Sequence, residues 1–129
     1  MFRLAEQSII AFVPTIDPER ARGFYRDQLG LTLVSDELPF ALVFDVNSVM
    51  LRITAVKDLK PAGFTILGWK VDDIGSAVSA IKARGVTFER YPGMEQDELG
   101  IWTVPGGSAK VAWFRDPDGN VLSLSEHAS

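Results

Sequence analysis

Apolar and polar positions along this chain fall into an order that occurs twice. From Ser8 to Ile16 the segment SIIAFVPTI is almost wholly apolar and predicts a strand, interrupted late by Pro14. Asp17 then offers a side-chain oxygen as a helix N-cap, and Pro18 suits the first helical position, where no N–H is needed. Ala21, Phe24, Tyr25 and Leu29 recur at helical spacing, and Gly30 is a stop residue that tolerates positive φ. Leu31 to Val34, Phe40 to Val46 and Val49 to Val56 follow as short strands, with Val46-Asn47-Ser48 as the turn between the last two.

After the polar stretch KDLKPAG, Lys57 to Gly63, the order begins again. Thr65 to Val71 predicts a strand, and Asp72 and Asp73 are capping candidates. Ile74, Ala77, Val78 and Ile81 form the clearest helical stripe in the chain, and Gly85 ends it. Val86 to Arg90, Gly100 to Val104, Lys110 to Arg115 and Val121 to Ser125 are expected as further strands. Between them lies an insertion, Tyr91 to Leu99, read as a solvated flap. The caps Asp17 and Asp73, and the stops Gly30 and Gly85, are each separated by nearly half the chain. Such self-similarity marks one supersecondary unit used twice. The run DPDGN, Asp116 to Asn120, is a strong turn, because Pro117 presets φ and Gly119 supplies a positive one.

Composition narrows the function classes. A chain of 129 residues is one domain or two closely packed modules. Net charge is -4 with no Lys/Arg run, which argues against nucleic-acid binding. No apolar stretch is long enough to span a bilayer, so no membrane association is expected. Zero cysteines exclude a disulfide framework and a thiolate nucleophile, and the cytoplasm is the expected location.

Three stretches in order carry a resemblance: the cap, helix and FYRDQLGL run ending at Leu31; the VDD helix ending ARGV at Val86; and WFRDPDGNVLSL from Trp113 to Leu124. Together they resemble the vicinal oxygen chelate superfamily, which includes glyoxalase I, bleomycin resistance proteins and extradiol dioxygenases. The resemblance implies an α+β fold of two β-α-β-β-β modules. These would form an eight-stranded, cup-shaped mixed sheet with helices on the outer face. Module one is expected at about residues 8–56, the linker at 57–63 and module two at about 64–126, in a single domain.

The same resemblance locates a metal site near the middle of the first and last strand of each module. Those positions fall on Ile10, on Leu51 or Arg52, on Ile66 or Thr65, and on Ser123. First-row metals need imidazole or carboxylate donors, so neither a metal nor another cofactor is expected, and no catalytic residue is assigned. His127 lies near the end of the chain and reads as a solvated tail residue.

Strand alternation places Phe12 and Gly68 on the cup side, with Val13, Leu67 and Trp69 on the helix side. Arg52, in the otherwise apolar strand VMLRITAV, either anchors an anionic ligand or pairs with a neighbouring acid. Tyr91, Trp102 and Trp113 either stack on a ligand ring or pack in a core or dimer interface. The ligand-contact set expected from the sequence is Phe12, Arg52, Gly68, Tyr91, Trp102 and Ser123. The function expected is a metal-free binding protein, resembling bleomycin resistance proteins, that holds a small aromatic or anionic molecule in a homodimer. The alternative is a glyoxalase-type lyase or isomerase with a displaced metal site.

Overall fold

A computed structural model describes all 129 residues. The chain forms two compact units, Met1–Leu59 and Lys60–Ser129. Each contains one four-stranded mixed sheet and a helical segment after its first strand, with a short 3-10 turn at Leu4–Glu6 ahead of the first unit's sheet, giving the α+β class with eight strands in all. No helix is long and apolar enough to cross a membrane.

In the first unit β1 (Ile10–Thr15) leads into α1 (Pro18–Arg22), followed by β2 (Thr32–Glu37), β3 (Ala41–Val46) and β4 (Val49–Ala55). The sheet order is β1-β4-β3-β2, with β1 parallel to β4 and the other pairs antiparallel. Pro14 is tolerated because β1 is an edge strand. Asp17 caps α1 by accepting the Arg20 amide at 3.3 Å, and Gly30 stops the segment at φ +73°. Between them the helix is not uniform. Gly23–Gln28 winds as a π-helix, in which the Leu29 amide reaches the Phe24 carbonyl. Consecutive Phe24 and Tyr25 are both buried there, and Tyr25 lies 6.2 Å from the Phe44 ring. Ala21, Phe24 and Tyr25 join Val13, Leu42, Phe44, Leu51 and Ile53 in the buried core.

The second unit repeats the order with β5 (Thr65–Lys70), α2 (Ile74–Lys82), β6 (Trp102–Thr103), β7 (Ala109–Arg115) and β8 (Val121–His127). Its sheet order, β5-β8-β7-β6, mirrors that of the first, again with one parallel pair. Asp73 caps α2 by accepting the Ser76 amide at 3.1 Å, and this bond lowers the Asp73 pKa below the ordinary aspartate range. Ile74 and Val78 lie in the core with Ala112, Phe114, Leu122 and Leu124. The Asp116 carboxylate closes the DPDGN turn, accepting the Asp118 and Asn120 amides and the Asn120 side chain, each at 2.9 Å.

Three expectations are corrected. Val86 to Arg90 forms no regular strand, only a bridge from Phe88 to Phe114. Past that bridge a side chain takes over: Gln96 donates to the Glu89 and Gly100 carbonyls and accepts the Tyr91 amide. For the same reason Tyr91–Leu99 is no loose flap. Arg90 donates to the carbonyls of Gln96, Asp97 and Glu98, while Asp97 Oδ1 accepts the amides of Leu99 and Ile101. Finally, β8 runs past Ser125 to His127, which pairs with Ala109, so His127 is a strand residue and not a tail.

Candidate functional site

Each sheet has a face turned toward its helix and an opposite face, and register fixes which residues occupy the second. In the first unit Phe12 pairs with Arg52, Arg52 with Val43, and Val43 with Ser35, so the four form one row across the sheet. Phe12 is 62% exposed, whereas its neighbour Val13 is fully buried on the helix side. Leu51 is likewise buried among the helix-side residues. That settles the choice between Leu51 and Arg52: Arg52 occupies the open face. Its Nη2 donates to Glu37 Oε1 at 3.0 Å. Arg52 therefore has an acid partner on its own sheet, in a partly exposed ion pair of the kind that contributes little to stability. Beside Ile10 the same face opens into a groove of about 390 Å³, lined by Ile9, Val34, Val43, Asp45 and Met50.

The second unit assembles the remaining candidates. Gly68 pairs with Ser123, and Ser123 with Trp113, giving a row on the face opposite Leu122 and Leu124. Trp69, one residue on from Gly68, stacks instead on Phe114 in the core at 6.5 Å between ring centroids. A Cβ at position 68 would stand 2.8 Å from Ser123 Oγ, so glycine there makes room for that hydroxyl. Trp113 is flanked by two aromatic neighbours. Tyr91 meets it edge-on at 5.6 Å, and Trp102 lies tilted at 6.0 Å. Beside this cluster Arg115 Nε donates to Glu89 Oε1 at 2.6 Å and Arg115 Nη1 to the Gly119 carbonyl at 2.9 Å. Burial raises the Tyr91 pKa, Glu89 raises it further, and Arg115 opposes the shift.

Thus Phe12 and Arg52 lie side by side in one unit, and Gly68, Ser123, Tyr91 and Trp102 gather around Trp113 in the other. The ligand-contact set expected from the sequence did not include Lys70, Ser125 and His127. Lys70 pairs with Ser125, Ser125 pairs with Val111, and Val111 pairs with Trp102, all on the Ser123 face. Ser125 Oγ and His127 Nε2 are 3.0 Å apart. The signal was available: these residues lie two and four positions beyond Gly68 and Ser123, and strand side chains alternate with period two.

The positions that the resemblance assigns to a metal carry Ile10, Arg52, Thr65 or Ile66, and Ser123. Alkyl groups, a guanidinium and hydroxyls do not fit a first-row metal, which takes imidazole, thiolate or carboxylate donors. Nor does any group of three His, Cys, Asp or Glu residues gather elsewhere in the chain.

The comparisons agree with the fold. A glyoxalase/bleomycin resistance protein/dioxygenase from Alicyclobacillus acidocaldarius aligns over 99% of this chain and 96% of its own, with TM-score 0.71 and 18% identity. Lactoylglutathione lyase from Agrobacterium tumefaciens aligns over 94% and 93%, with TM-score 0.70 and 18% identity. A glyoxalase family protein from Enterococcus faecalis aligns over 94% and 98%, with TM-score 0.69 and 20% identity. Among curated proteins, a probable chloroplastic lactoylglutathione lyase of Arabidopsis thaliana is 37% identical over 65 residues. That stretch is 50% of this chain but only 16% of the relative, so the chain matches a small part of that protein. The sequence pattern of the Glyoxalase/Bleomycin resistance protein/Dioxygenase superfamily matches residues 8–124, and the chain belongs to that superfamily.

Proposed function

We propose that this protein binds a small planar organic molecule, without a metal, against the open face of its second unit. The observation that supports this best is the cluster of Tyr91, Trp102 and Trp113 beside Gly68 and Ser123. Trp102 and Trp113 on the sheet face, with Tyr91 packed against Trp113, give a large apolar surface, and the Ser123 hydroxyl beside Gly68 adds a polar group next to it. The role is that of a binding protein, similar in kind to bleomycin resistance proteins. Bleomycin itself is not the proposed ligand, since cationic drugs call for a strongly acidic groove. Action as a homodimer in the cytoplasm belongs to the same proposal. Exposed Ile9, Ile10, Phe12 and Val34 support the dimer, because neighbouring apolar side chains on a surface favour association.

A second reading, a glyoxalase-type lyase or isomerase with a displaced metal site, draws on the segment shared with the Arabidopsis relative. The two are separated by a thermal-shift screen against aromatic acids, aromatic amides and divalent metals, alongside metal analysis of protein purified without chelator. Ligands that bind the native state raise the melting temperature with concentration. Aromatic compounds are expected to do so, and Trp113→Leu to remove the shift. A response to divalent metals alone, stoichiometric bound metal, or turnover of lactoylglutathione would favour the enzyme.

A further inference from the structure

We infer that the ligand is an aromatic carboxylic acid, its ring on the Trp113 row and its carboxylate held one row further along by Lys70 and Ser125. This rests on the proposed binding at that face and adds the chemical class. The register carries it. Trp113, Ser123 and Gly68 form one row, while Trp102, Val111, Ser125 and Lys70 form the next on the same face. Rows two residues apart are separated by about 6.5 Å, a step that an aromatic ring with an attached carboxyl group spans.

Charge favours an anion at the second row. Lys70 is exposed, and its ammonium has neither a hydrogen-bond nor an ion-pair partner. No acid stands at a strand position of this face. Glu126 points the other way, its carboxylate accepting the Ile74 amide at 3.0 Å, and Glu89 is engaged by Arg115 at 2.6 Å. Arg52, by contrast, already has Glu37. Ser125 Oγ lies 3.0 Å from His127 Nε2, and in the tautomer that carries the proton on Nε2 the ring donates to Oγ, leaving the Ser125 hydrogen to donate to a carboxylate oxygen. A carboxylate there meets one ammonium and one oriented hydroxyl, both donors and neither an acid.

The test titrates the protein with 1-naphthoate and its neutral counterpart 1-naphthamide, following quenching of tryptophan fluorescence. Binding of the acid about tenfold tighter than the amide is expected, with the preference shrinking as salt rises. Lys70→Gln should bring the acid to the affinity of the amide and leave the amide unchanged; Ser125→Ala should lose part of the preference. Lys70 is exposed at a strand end, so the variant keeps its fold. Equal binding of acid and amide overturns the carboxylate subsite and leaves the binding role standing. A preference for the acid that survives Lys70→Gln also overturns it. Failure of both compounds to bind overturns the subsite and the binding role together.

Discussion

Replacing Gly68 with alanine tests the local geometry at the centre of the candidate site. The new Cβ would lie 2.8 Å from Ser123 Oγ and 3.6 Å from the Ser123 carbonyl oxygen, so only the hydroxyl stands in the way. Gly68 has no positive φ, and its backbone accepts an L side chain without strain. Ser123 is 8% exposed, which leaves its hydroxyl little space to turn. Forcing it off its rotamer costs about 0.5–1.5 kcal/mol, and overpacking costs about 1–3 kcal/mol. Against this, alanine narrows the unfolded ensemble and stabilises by about 0.4–1 kcal/mol. The expected net effect of Gly68→Ala is a loss of about 1 kcal/mol. Once Ser123→Ala removes the oxygen, only the favourable term remains, and the same substitution should stabilise by about 0.5 kcal/mol. The double-mutant cycle then gives an interaction of about 1.5 kcal/mol, readable from urea unfolding midpoints at constant m. If Gly68→Ala changes stability equally in both backgrounds, the close approach of Gly68 to Ser123 is refuted.

Asp116→Ala should destabilise the second unit by about 2–4 kcal/mol in urea unfolding, because it strands buried donors at Asp118 and Asn120; a loss below about 0.5 kcal/mol would contradict the turn geometry. Gln96→Ala should speed hydrogen exchange and proteolysis within Tyr91–Leu99 while leaving α2 protected, since one side chain ties the Tyr91 amide to the flanking Glu89 and Gly100 carbonyls. The lowered Asp73 pKa means that its capping contribution is present above the ordinary aspartate range and is lost as pH falls through the lowered value. Asp73→Ala should therefore be less stable than the parent at neutral pH, with the difference vanishing in strong acid; a pH-independent difference would show that the carboxylate charge plays no part. The raised Tyr91 pKa predicts ionisation above the ordinary phenol range in an ultraviolet titration, and Glu89→Gln should bring it down by removing a neighbouring negative charge.

Features legible in the sequence are those whose cause is local. Asp17 and Asp73 cap helices because a short acidic side chain reaches the amide three residues on, in any tertiary setting. Gly30 and Gly85 stop them because glycine takes positive φ freely. Period-two alternation correctly separated Phe12 from Val13 and Gly68 from Trp69. The limits of local reasoning appear where backbone groups find distant partners. Val86 to Arg90 looks like a strand by composition, yet its pairing stops at one bridge, where the Glu89 amide reaches the Trp113 carbonyl, and the Glu89 carbonyl turns to the Gln96 side chain.

By itself, then, the sequence determined an order of strand, cap, helix and stop used twice, with its turns, and carried the resemblance that implied two β-α-β-β-β modules and the positions to inspect for metal donors. The repeated order depends on residue type and on spacing along the chain. Only the tertiary structure decided that Arg52 and not Leu51 occupies the open face, that Arg52 has Glu37 as partner, and that His127 ends a strand against Ser125. It also placed Lys70 in one row with Ser125 and Trp102, though these residues are far apart in the chain. The physical reason is register. Which residues stand side by side across strands depends on hydrogen-bond pairing between distant segments, and a slip of one residue would turn every side chain to the other face.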